Sequence, residues 1–172
     1  HRMHRPLIGI TMGDPLGIGP EVVVKALADA ALRASARFVV YGDHELMLAA
    51  ADKARVHPTW FRTSLEHARD GGMVLGDYTV IDYGIAPTLG SDREPSKAGG
   101  LASKNFVEDA IQDALRPVGD GRRIDAVVTA PISKESWSMA GFRWPGHTEL
   151  FGARTKARRQ AMAFVSPRLK VV

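Results

Sequence analysis

Two adjacent polar side chains near the end of the chain, His147 and Thr148, have the types that could bind a ligand. His147 follows Gly146, which allows close access to the backbone, and Thr148 adds a hydroxyl beside the imidazole. An imidazolium and a hydroxyl together can bind an oxygen of a phosphate or a carboxylate. A structural role is equally compatible with the spacing, because Thr148 followed by Glu149 could cap a helix that begins there. The residue types alone leave both interpretations open.

A glycine-rich segment, Gly13–Gly19, is a second candidate ligand site. Its glycines lie four and two residues apart, so it matches neither the G-x-G-x-x-G pattern nor a P-loop. Free backbone N–H groups at the start of a following helix could bind an anion or a carboxylate. Alternatively, the glycines only permit a tight turn. For Asp14 we favour a turn or helix-capping carboxylate over a catalytic one.

Lys134, in the segment Ala-Pro-Ile-Ser-Lys, is a third candidate. It follows a predicted strand and a proline turn, from which it could reach the same cleft as His147. A lysine in this place could contact a phosphate or be a solvated helix residue, and the sequence favours neither. Ser133 is not expected to be a nucleophile, because the chain lacks the G-x-S-x-G turn that exposes such a serine.

A self-contained metal site is not predicted. The chain has no cysteine, which excludes disulfides, thiolate zinc ligands and cysteine nucleophiles. His44, His57 and His67 have no partner at the spacing of metal ligands, and neither H-x-x-x-H nor H-E-x-x-H occurs. Surface or packing roles are therefore favoured for these three histidines.

Short apolar runs and helical periodicities alternate along the chain and predict the elements that position these residues. Strands are predicted at 7–11, 37–41, 78–82, 125–129, 161–165 and 170–172, and those at 7–11 and 125–129 are expected to be buried. Helices are predicted from Pro20 through Ala30, from Asp43 to Ala54, from 98 to 115 and from 134 to 139. Alternating strands and helices indicate a mostly parallel sheet covered on both faces. Because ligands bind beyond the carboxyl ends of such strands, the loops at 11–19 and 129–134 lie where a site is expected.

Composition places the chain among soluble globular proteins. Its 172 residues, 45% of them hydrophobic and 24% charged, suffice for one domain and part of a second. No apolar run approaches the roughly 18 residues that cross a bilayer, and the basic N-terminus does not read as a signal peptide. We therefore expect no membrane partner, and the absence of cysteine fits a cytoplasmic location. The net charge of +4 includes a basic run at 154–159, interpreted as a solvated helix face without a nucleic-acid partner.

Three long motifs resemble the signatures of the PdxA family, the 4-hydroxythreonine-4-phosphate dehydrogenases of vitamin B6 biosynthesis. They read Ile-Thr-Met-Gly-Asp-Pro-Leu-Gly-Ile-Gly-Pro-Glu from Ile10, Val-Val-Thr-Ala-Pro-Ile-Ser-Lys from Val127, and Ala-Gly-Phe-Arg-Trp-Pro-Gly-His-Thr-Glu from Ala140. Their order and spacing agree with the family, and the resemblance runs from Leu7 to the end of the chain.

The resemblance implies an α/β fold of three layers, helices on both sides of a mostly parallel sheet, similar to isocitrate and isopropylmalate dehydrogenases. It implies a first α/β lobe over residues 1–130 and the start of a second lobe over 131–172. A cleft lies between the lobes in the family, and a homodimer completes each site. Family members are about twice as long, so the resemblance also implies a chain truncated within the second lobe.

The chemistry implied by the resemblance is an oxidation of 4-phosphohydroxy-L-threonine that depends on NAD or NADP and is followed by loss of CO2. A divalent metal, Zn, Mn, Mg or Co, assists by polarising the reacting hydroxyl. His147 and Thr148 match the family's substrate-binding pair. The family's three metal-ligand histidines have no counterpart in this sequence, so the resemblance implies no metal ligand here and little activity of this chain alone.

Competing interpretations remain at the level of sequence. Paralogues that resemble this family act on D-threonate or erythronate 4-phosphate or on cis-dihydrodiols, and the motifs around Gly13 and His147 do not separate these substrates. A non-catalytic protein that binds a phosphorylated ligand is an alternative from another class. Acyl transfer to phosphate is supported only by analogy of fold.

Overall fold

A computed structural model of the chain describes residues 5–71 and 76–172. The basic N-terminal residues considered above lie mostly outside this range. Strands occupy the following ranges: β1 Leu7–Thr11, β2 Arg37–Gly42, β3 Phe61–Ser64, β4 Tyr78–Asp82, β5 Ala126–Thr129, β6 Phe164–Val165 and β7 Lys170–Val171.

Seven α-helices are present in the described part of the chain. They are α1 Gly19–Ala26, α2 Ala30–Ser35, α3 His44–Ala54, α4 Leu65–Arg69, α5 Lys97–Ala114, α6 Lys134–Met139 and α7 His147–Thr155. A short 3-10 helix spans Ala86–Thr88. None of the helices in these ranges is both long enough and apolar enough to span a bilayer.

The first five strands form one parallel sheet in the order β3-β4-β2-β1-β5. In β4 every residue is buried, and in β2 every residue after Arg37 is buried. Since side chains alternate between the two faces of a strand, continuous burial shows that both faces of the sheet are covered. The predicted α/β class with a mostly parallel sheet is confirmed.

The hydrophobic core lies between this sheet and its helices. Val39, Val40 and Ile81 from the central strands are buried together with Phe106 of α5. Burying each such side chain contributes about 1.5–3 kcal/mol, so the sheet and α5 account for much of the stability of this region. The long helix predicted at 98–115 is confirmed as α5.

Two helical predictions needed correction. The helix predicted to run through Ala30 ends at Ala26, and a separate helix, α2, starts at Ala30. The carboxylate of Asp29 accepts hydrogen bonds from the N–H groups of Ala31 and Leu32, which caps a new helix and ends the first. The helix predicted from Asp43 to Ala54 starts one residue later, at His44, because the Asp43 side chain caps it by accepting a hydrogen bond from the Leu46 N–H. Its end at Ala54 is as predicted.

Strand β5 was predicted to be buried, and this was wrong. It is an edge strand that pairs only with β1 among the described residues, and its burial alternates between exposed and half-buried. Val128 keeps 50% of its surface exposed. The apolar composition that predicted burial at 125–129 therefore reflects one covered side rather than two.

Contacts divide the chain into two compact units, His1–Phe142 and Arg143–Val172. The second unit contains α7 and the antiparallel pair β6–β7. The strands predicted at 161–165 and 170–172 are present only as these two short segments, and they form a separate sheet. A two-stranded sheet with exposed side chains has little stability of its own. The predicted lobe boundary after residue 130 stays a prediction.

Candidate ligand-binding residues

The two motif loops of the first unit lie side by side. Strands β1 and β5 are neighbours in register, with Thr11 opposite Thr129. Beyond the strands, the Ala130 N–H donates to the Thr11 carbonyl at 3.0 Å, and the Asp14 N–H donates to the Pro131 carbonyl at 2.9 Å. The expectation that both loops lie at the carboxyl edge of the sheet is confirmed, and hydrogen bonds join them directly.

Two glycines of the glycine-rich segment are required by this junction. Gly13 has a φ of +79°, and a Cβ there would lie 2.3 Å from the Pro131 carbonyl oxygen. A Cβ on Gly19 would lie 1.9 Å from the Met12 carbonyl oxygen. Because both close approaches are to backbone, the glycines allow the loops to pack tightly. These contacts support the tight-turn interpretation for Gly13 and Gly19.

Asp14 stabilises the turn that follows Gly13. Its Oδ1 accepts a hydrogen bond from the Leu16 N–H at 3.0 Å, and its carbonyl accepts one from the Gly17 N–H at 3.0 Å. A Cβ on Gly99 would lie 3.3 Å from the same Oδ1, so the carboxylate lies beside the first turn of α5. A negative charge is favourable at a helix N-terminus. This geometry supports the interpretation of Asp14 as a turn carboxylate, and its place in a ligand site stays a prediction.

Lys134 begins α6 at the same edge of the sheet. The hydroxyl of Ser133 accepts a hydrogen bond from the Ser136 N–H at 3.1 Å, so Ser133 caps this helix. The Lys134 side chain is exposed and makes no ion pair with any residue in the described ranges. Its charge is therefore available to an anion at this edge.

Serines that the sequence analysis did not single out hold α6 against α5. The Ser136 hydroxyl accepts a hydrogen bond from the Ser96 N–H at 3.0 Å. A Cβ on Gly100 would lie 1.9 Å from the Ser136 carbonyl oxygen, so the two helices pack in direct backbone contact. The signal for this contact was the Gly99-Gly100 pair inside a predicted helix, where glycine is costly unless packing requires it.

Two buried carboxylates lie at the ends of the neighbouring strands. Asp43 accepts hydrogen bonds from the N–H groups of Ile85 and Ala86 as well as capping α3. Asp82 accepts from the His44 N–H and pairs with Arg62 at 2.6 Å. Burial acts to raise the pKa of Asp82, but its backbone and Arg62 hydrogen bonds outweigh burial and hold that pKa below its ordinary value. Both carboxylates are occupied by structural partners.

The second unit contains His147 and Thr148 at the start of α7. The N-cap residue is Gly146, and no side chain caps this helix. The alternative that Thr148 caps it is therefore wrong, because the helix starts one residue before Thr148 and places it inside the first turn. The His147 ring centroid lies 6.5 Å from that of Phe151, one turn further along. Both His147 and Thr148 are half-buried.

Burial lowers the pKa of His147 below its ordinary value of 6.5. We expect the ring signals of His147 in an NMR titration to change at lower pH in the folded chain than in the urea-unfolded chain. The unfolded chain then binds more protons below pH 6.5, so this contribution to stability is complete above 6.5 and is lost as the pH falls through the folded-state pKa. A folded-state midpoint equal to or above the unfolded one would contradict the burial of this imidazole.

Metal ligands are not brought together in the part of the chain that the structure describes. No group of three or more His, Asp or Glu side chains in residues 5–71 and 76–172 could hold a metal ion. The buried carboxylates at the strand ends are satisfied by backbone and arginine donors, so they do not fit such a role. We therefore assign no metal-dependent step to these residues.

A parallel α/β sheet with motif loops joined at its carboxyl edge defines a class of protein that binds ligands at that edge. Comparison with known families then gives a definite assignment. The family model described as pyridoxal phosphate biosynthetic protein PdxA matches residues 34–172. The chain belongs to the PdxA family.

Individual relatives agree with this assignment. The chain is 35% identical over 167 residues to the D-threonate 4-phosphate dehydrogenase of Cupriavidus necator, covering 97% of this chain and 48% of that protein. It is 36% identical over 170 residues to the 4-hydroxythreonine-4-phosphate dehydrogenase of Desulfosudis oleivorans, covering 98% and 48%. The chain therefore spans about half the length of the curated relatives it matches.

A solved structure supports the fold as well. The crystal structure of a 4-hydroxythreonine-4-phosphate dehydrogenase from Burkholderia phymatum matches with a TM-score of 0.80 and 33% identity. The match covers 97% of this chain and 48% of that one. The resemblance inferred from the three sequence motifs is thus confirmed at the level of family and fold.

Proposed function

We propose that this chain forms part of a PdxA-type dehydrogenase that oxidises a small phosphorylated hydroxy acid with NAD or NADP. The observation that carries the proposal is the hydrogen-bonded junction of two motif loops at the ligand-binding edge, in a member of this family. The relatives' names supply the substrate class, since each names a phosphorylated four-carbon hydroxy acid or amino acid. The substrate we propose is 4-phosphohydroxy-L-threonine.

The proposed reaction breaks three bonds of the substrate: C3–H, the O–H of the C3 hydroxyl, and the C–C bond to the carboxylate. A bound nicotinamide would accept the C3–H electron pair as hydride while the C3 hydroxyl loses its proton, which gives a β-keto acid. The bond to the carboxylate then breaks, CO2 leaves, and protonation of the carbon gives 3-amino-2-oxopropyl phosphate. A divalent metal, Zn, Mn, Mg or Co, belongs to this proposal, but no described residue is proposed as its ligand or as a contact of the nicotinamide.

His147 and Thr148 are proposed to bind the anionic substrate. Burial keeps the pKa of the His147 imidazole low in the free chain, so at neutral pH the ring is mostly uncharged. An oxyanion beside it favours the charged form and raises that pKa, so binding takes up a proton. Affinity should therefore increase as the pH falls toward 6. The Thr148 hydroxyl supplies a hydrogen-bond donor that does not depend on pH.

Lys134 and Asp14 are given supporting roles at the strand ends. Lys134 is proposed to attract the substrate phosphate, since its ammonium group is exposed and unpaired among the described residues. Asp14 is proposed to hold the glycine-rich turn through its bond to Leu16, and not to take part in proton transfer. The phosphate contact proposed for Lys134 does not depend on the turn hydrogen bond of Asp14.

D-threonate 4-phosphate is the second candidate substrate. The specific observation in its favour is the 35% identity to the Cupriavidus necator enzyme of that name over 97% of this chain. This compound has a hydroxyl where 4-phosphohydroxy-L-threonine has an amino group, so the two differ in charge at one carbon. Because the phosphate and carboxylate are shared, His147 and Thr148 would contact the same groups in either.

Calorimetric titration of the chain with the two phosphorylated compounds tests this proposal. We expect saturable binding of 4-phosphohydroxy-L-threonine, tighter at pH 6 than at pH 8, and weaker binding of D-threonate 4-phosphate. The reverse order would replace the proposed substrate by the second candidate. If the chain bound neither compound, the proposal that it binds the substrate of this reaction would be contradicted.

We also propose a homodimer located in the cytoplasm. Support for self-association comes from the exposed apolar side chains of β6 and β7, among them Phe164 at 66% and Val165 at 71% exposure. Apolar patches of this kind commonly mark interaction surfaces. The absence of cysteine is compatible with a reducing compartment.

A further inference from the structure

A polar cavity in the first unit lies apart from the motif loops. It opens between α4 and α5 over the side chains of Tyr41 and Tyr83, with a volume of about 100 Å³. Five charged side chains line it: Arg69, Asp109, Asp113, Arg116 and Arg122. The proposed function uses none of them.

The carboxylates of this cavity are largely satisfied by donors from the protein. Tyr41 donates its hydroxyl hydrogen to Asp113 at 2.8 Å, and Arg116 Nε donates to the other oxygen of Asp113 at 2.6 Å. Tyr83 donates to Asp109 at 2.6 Å. Burial, together with the neighbouring carboxylates, raises the pKa of both tyrosines well above their ordinary range. The tyrosines therefore stay neutral donors and add no negative charge.

The guanidinium groups retain donor capacity. Arg122 reaches Asp113 only at 3.3 and 3.4 Å through Nη2, and its buried Nε–H has no acceptor among the described residues. Arg69 reaches Asp109 only at 3.5 Å. Buried donors without an acceptor are uncommon, because each costs about 1–3 kcal/mol. Arg116 divides its donors between Asp113 and Asp120, which it reaches at 3.2 Å, so the spare donor capacity lies on Arg122 and Arg69.

We propose that this cavity is a binding site for a small oxyanion, of the class of inorganic phosphate. Guanidinium groups bind such anions with short, charge-assisted hydrogen bonds. A volume of about 100 Å³ admits a phosphate and excludes a nucleotide, since pockets for larger ligands start at about 300 Å³. All residues that line the cavity belong to the first compact unit, whereas His147 belongs to the second.

Titration of the isotope-labelled chain with inorganic phosphate, read from the arginine Nε–H signals in NMR spectra, tests the site. Sodium chloride at matched ionic strength is the control for screening. We expect the Arg122 Nε–H signal to shift and saturate with phosphate. The same shift is expected in His147→Ala, so failure of this site and failure of the substrate site can be told apart.

Three variants measured by calorimetry sharpen the test. Arg122→Gln removes a guanidinium donor and is expected to weaken phosphate binding about tenfold. Gln112→Glu is expected to weaken it about threefold or more, because it adds a negative charge to an exposed lining residue and removes no ion pair. The exposed Arg55→Gln should leave affinity unchanged. An unmoved Arg122 signal, or equal affinity in Gln112→Glu, would overturn the proposal.

Discussion

Replacing Gly13 with alanine is expected to lower the free energy of unfolding by about 3–5 kcal/mol. Two costs add at this position. A φ of +79° is unfavourable for any residue with a Cβ, and that Cβ would lie 2.3 Å from the Pro131 carbonyl oxygen. Relief of the collision requires the hydrogen bond between Asp14 and Pro131 to lengthen. Urea unfolding, followed by circular dichroism, measures the effect.

Gly141→Ala is the matched control for this substitution. Gly141 has a φ of +76°, nearly the value at Gly13, but no heavy atom lies within 4 Å of its would-be Cβ. The control therefore carries only the conformational cost, about 1–2 kcal/mol. If Gly13→Ala cost no more than Gly141→Ala, the two motif loops would not be packed as closely as the structure indicates.

Trp137→Ala is expected to have a comparable effect, about 3–5 kcal/mol. Trp137 of α6 is 1% exposed, and its ring packs edge-on against Phe142 with centroids 5.1 Å apart. Its Nε1 donates a hydrogen bond to the Ser103 hydroxyl of α5 at 3.0 Å. The indole therefore fixes α6, and with it the start of the helix at Lys134. Loss of the ring leaves a cavity that the surrounding backbone contacts cannot close.

Trp137→Phe separates the packing from the hydrogen bond. It keeps most of the aromatic surface and removes the N–H donor, so we expect a loss of about 1–2 kcal/mol. Ser103 still donates to the Gly99 carbonyl at 2.9 Å in that variant. Equal unfolding free energies for Trp137→Ala and the unaltered chain would show that α6 is not anchored by this residue.

Much of the fold was predictable because apolar periodicity reports burial. Strands β1, β2 and β4 and helix α5 lie in the centre of the first unit. The strands have apolar sequences, and α5 has apolar residues at helical spacing. These elements match the prediction because the burial of their apolar side chains both stabilises them and produces the sequence pattern from which they were predicted. The parallel pairing of β5 with β1, with Thr11 opposite Thr129, then places the two motif loops side by side.

Edge elements were harder to predict for the opposite reason. The side chains of β3 are exposed or half-buried, and Phe61 is 66% exposed, so no apolar pattern marks this strand. Helix α4 has five residues and depends on a cap by the Ser64 hydroxyl rather than on amphipathic periodicity. Local sequence carries little information about elements that depend on pairing at a sheet edge.

The candidate site shows the same division. The positions of Asp14 and Lys134 at the strand ends could be predicted from the loops that contain them. The lowered pKa of His147 could not be predicted, because it depends on burial of the ring. The polar cavity between α4 and α5 could not be predicted either, since it brings together residues as distant in sequence as Tyr41 and Asp113, which are 72 positions apart.

The most direct test of the substrate proposal is the affinity of the chain for 4-phosphohydroxy-L-threonine before and after substitution of His147. We expect His147→Ala to weaken binding at least tenfold at pH 6, because a charge-assisted hydrogen bond to the substrate is lost. His57→Ala, at an exposed position, should bind as the unaltered chain does. Equal affinities of His147→Ala and the unaltered chain, or no binding by either, would contradict the assignment of His147 as a substrate contact.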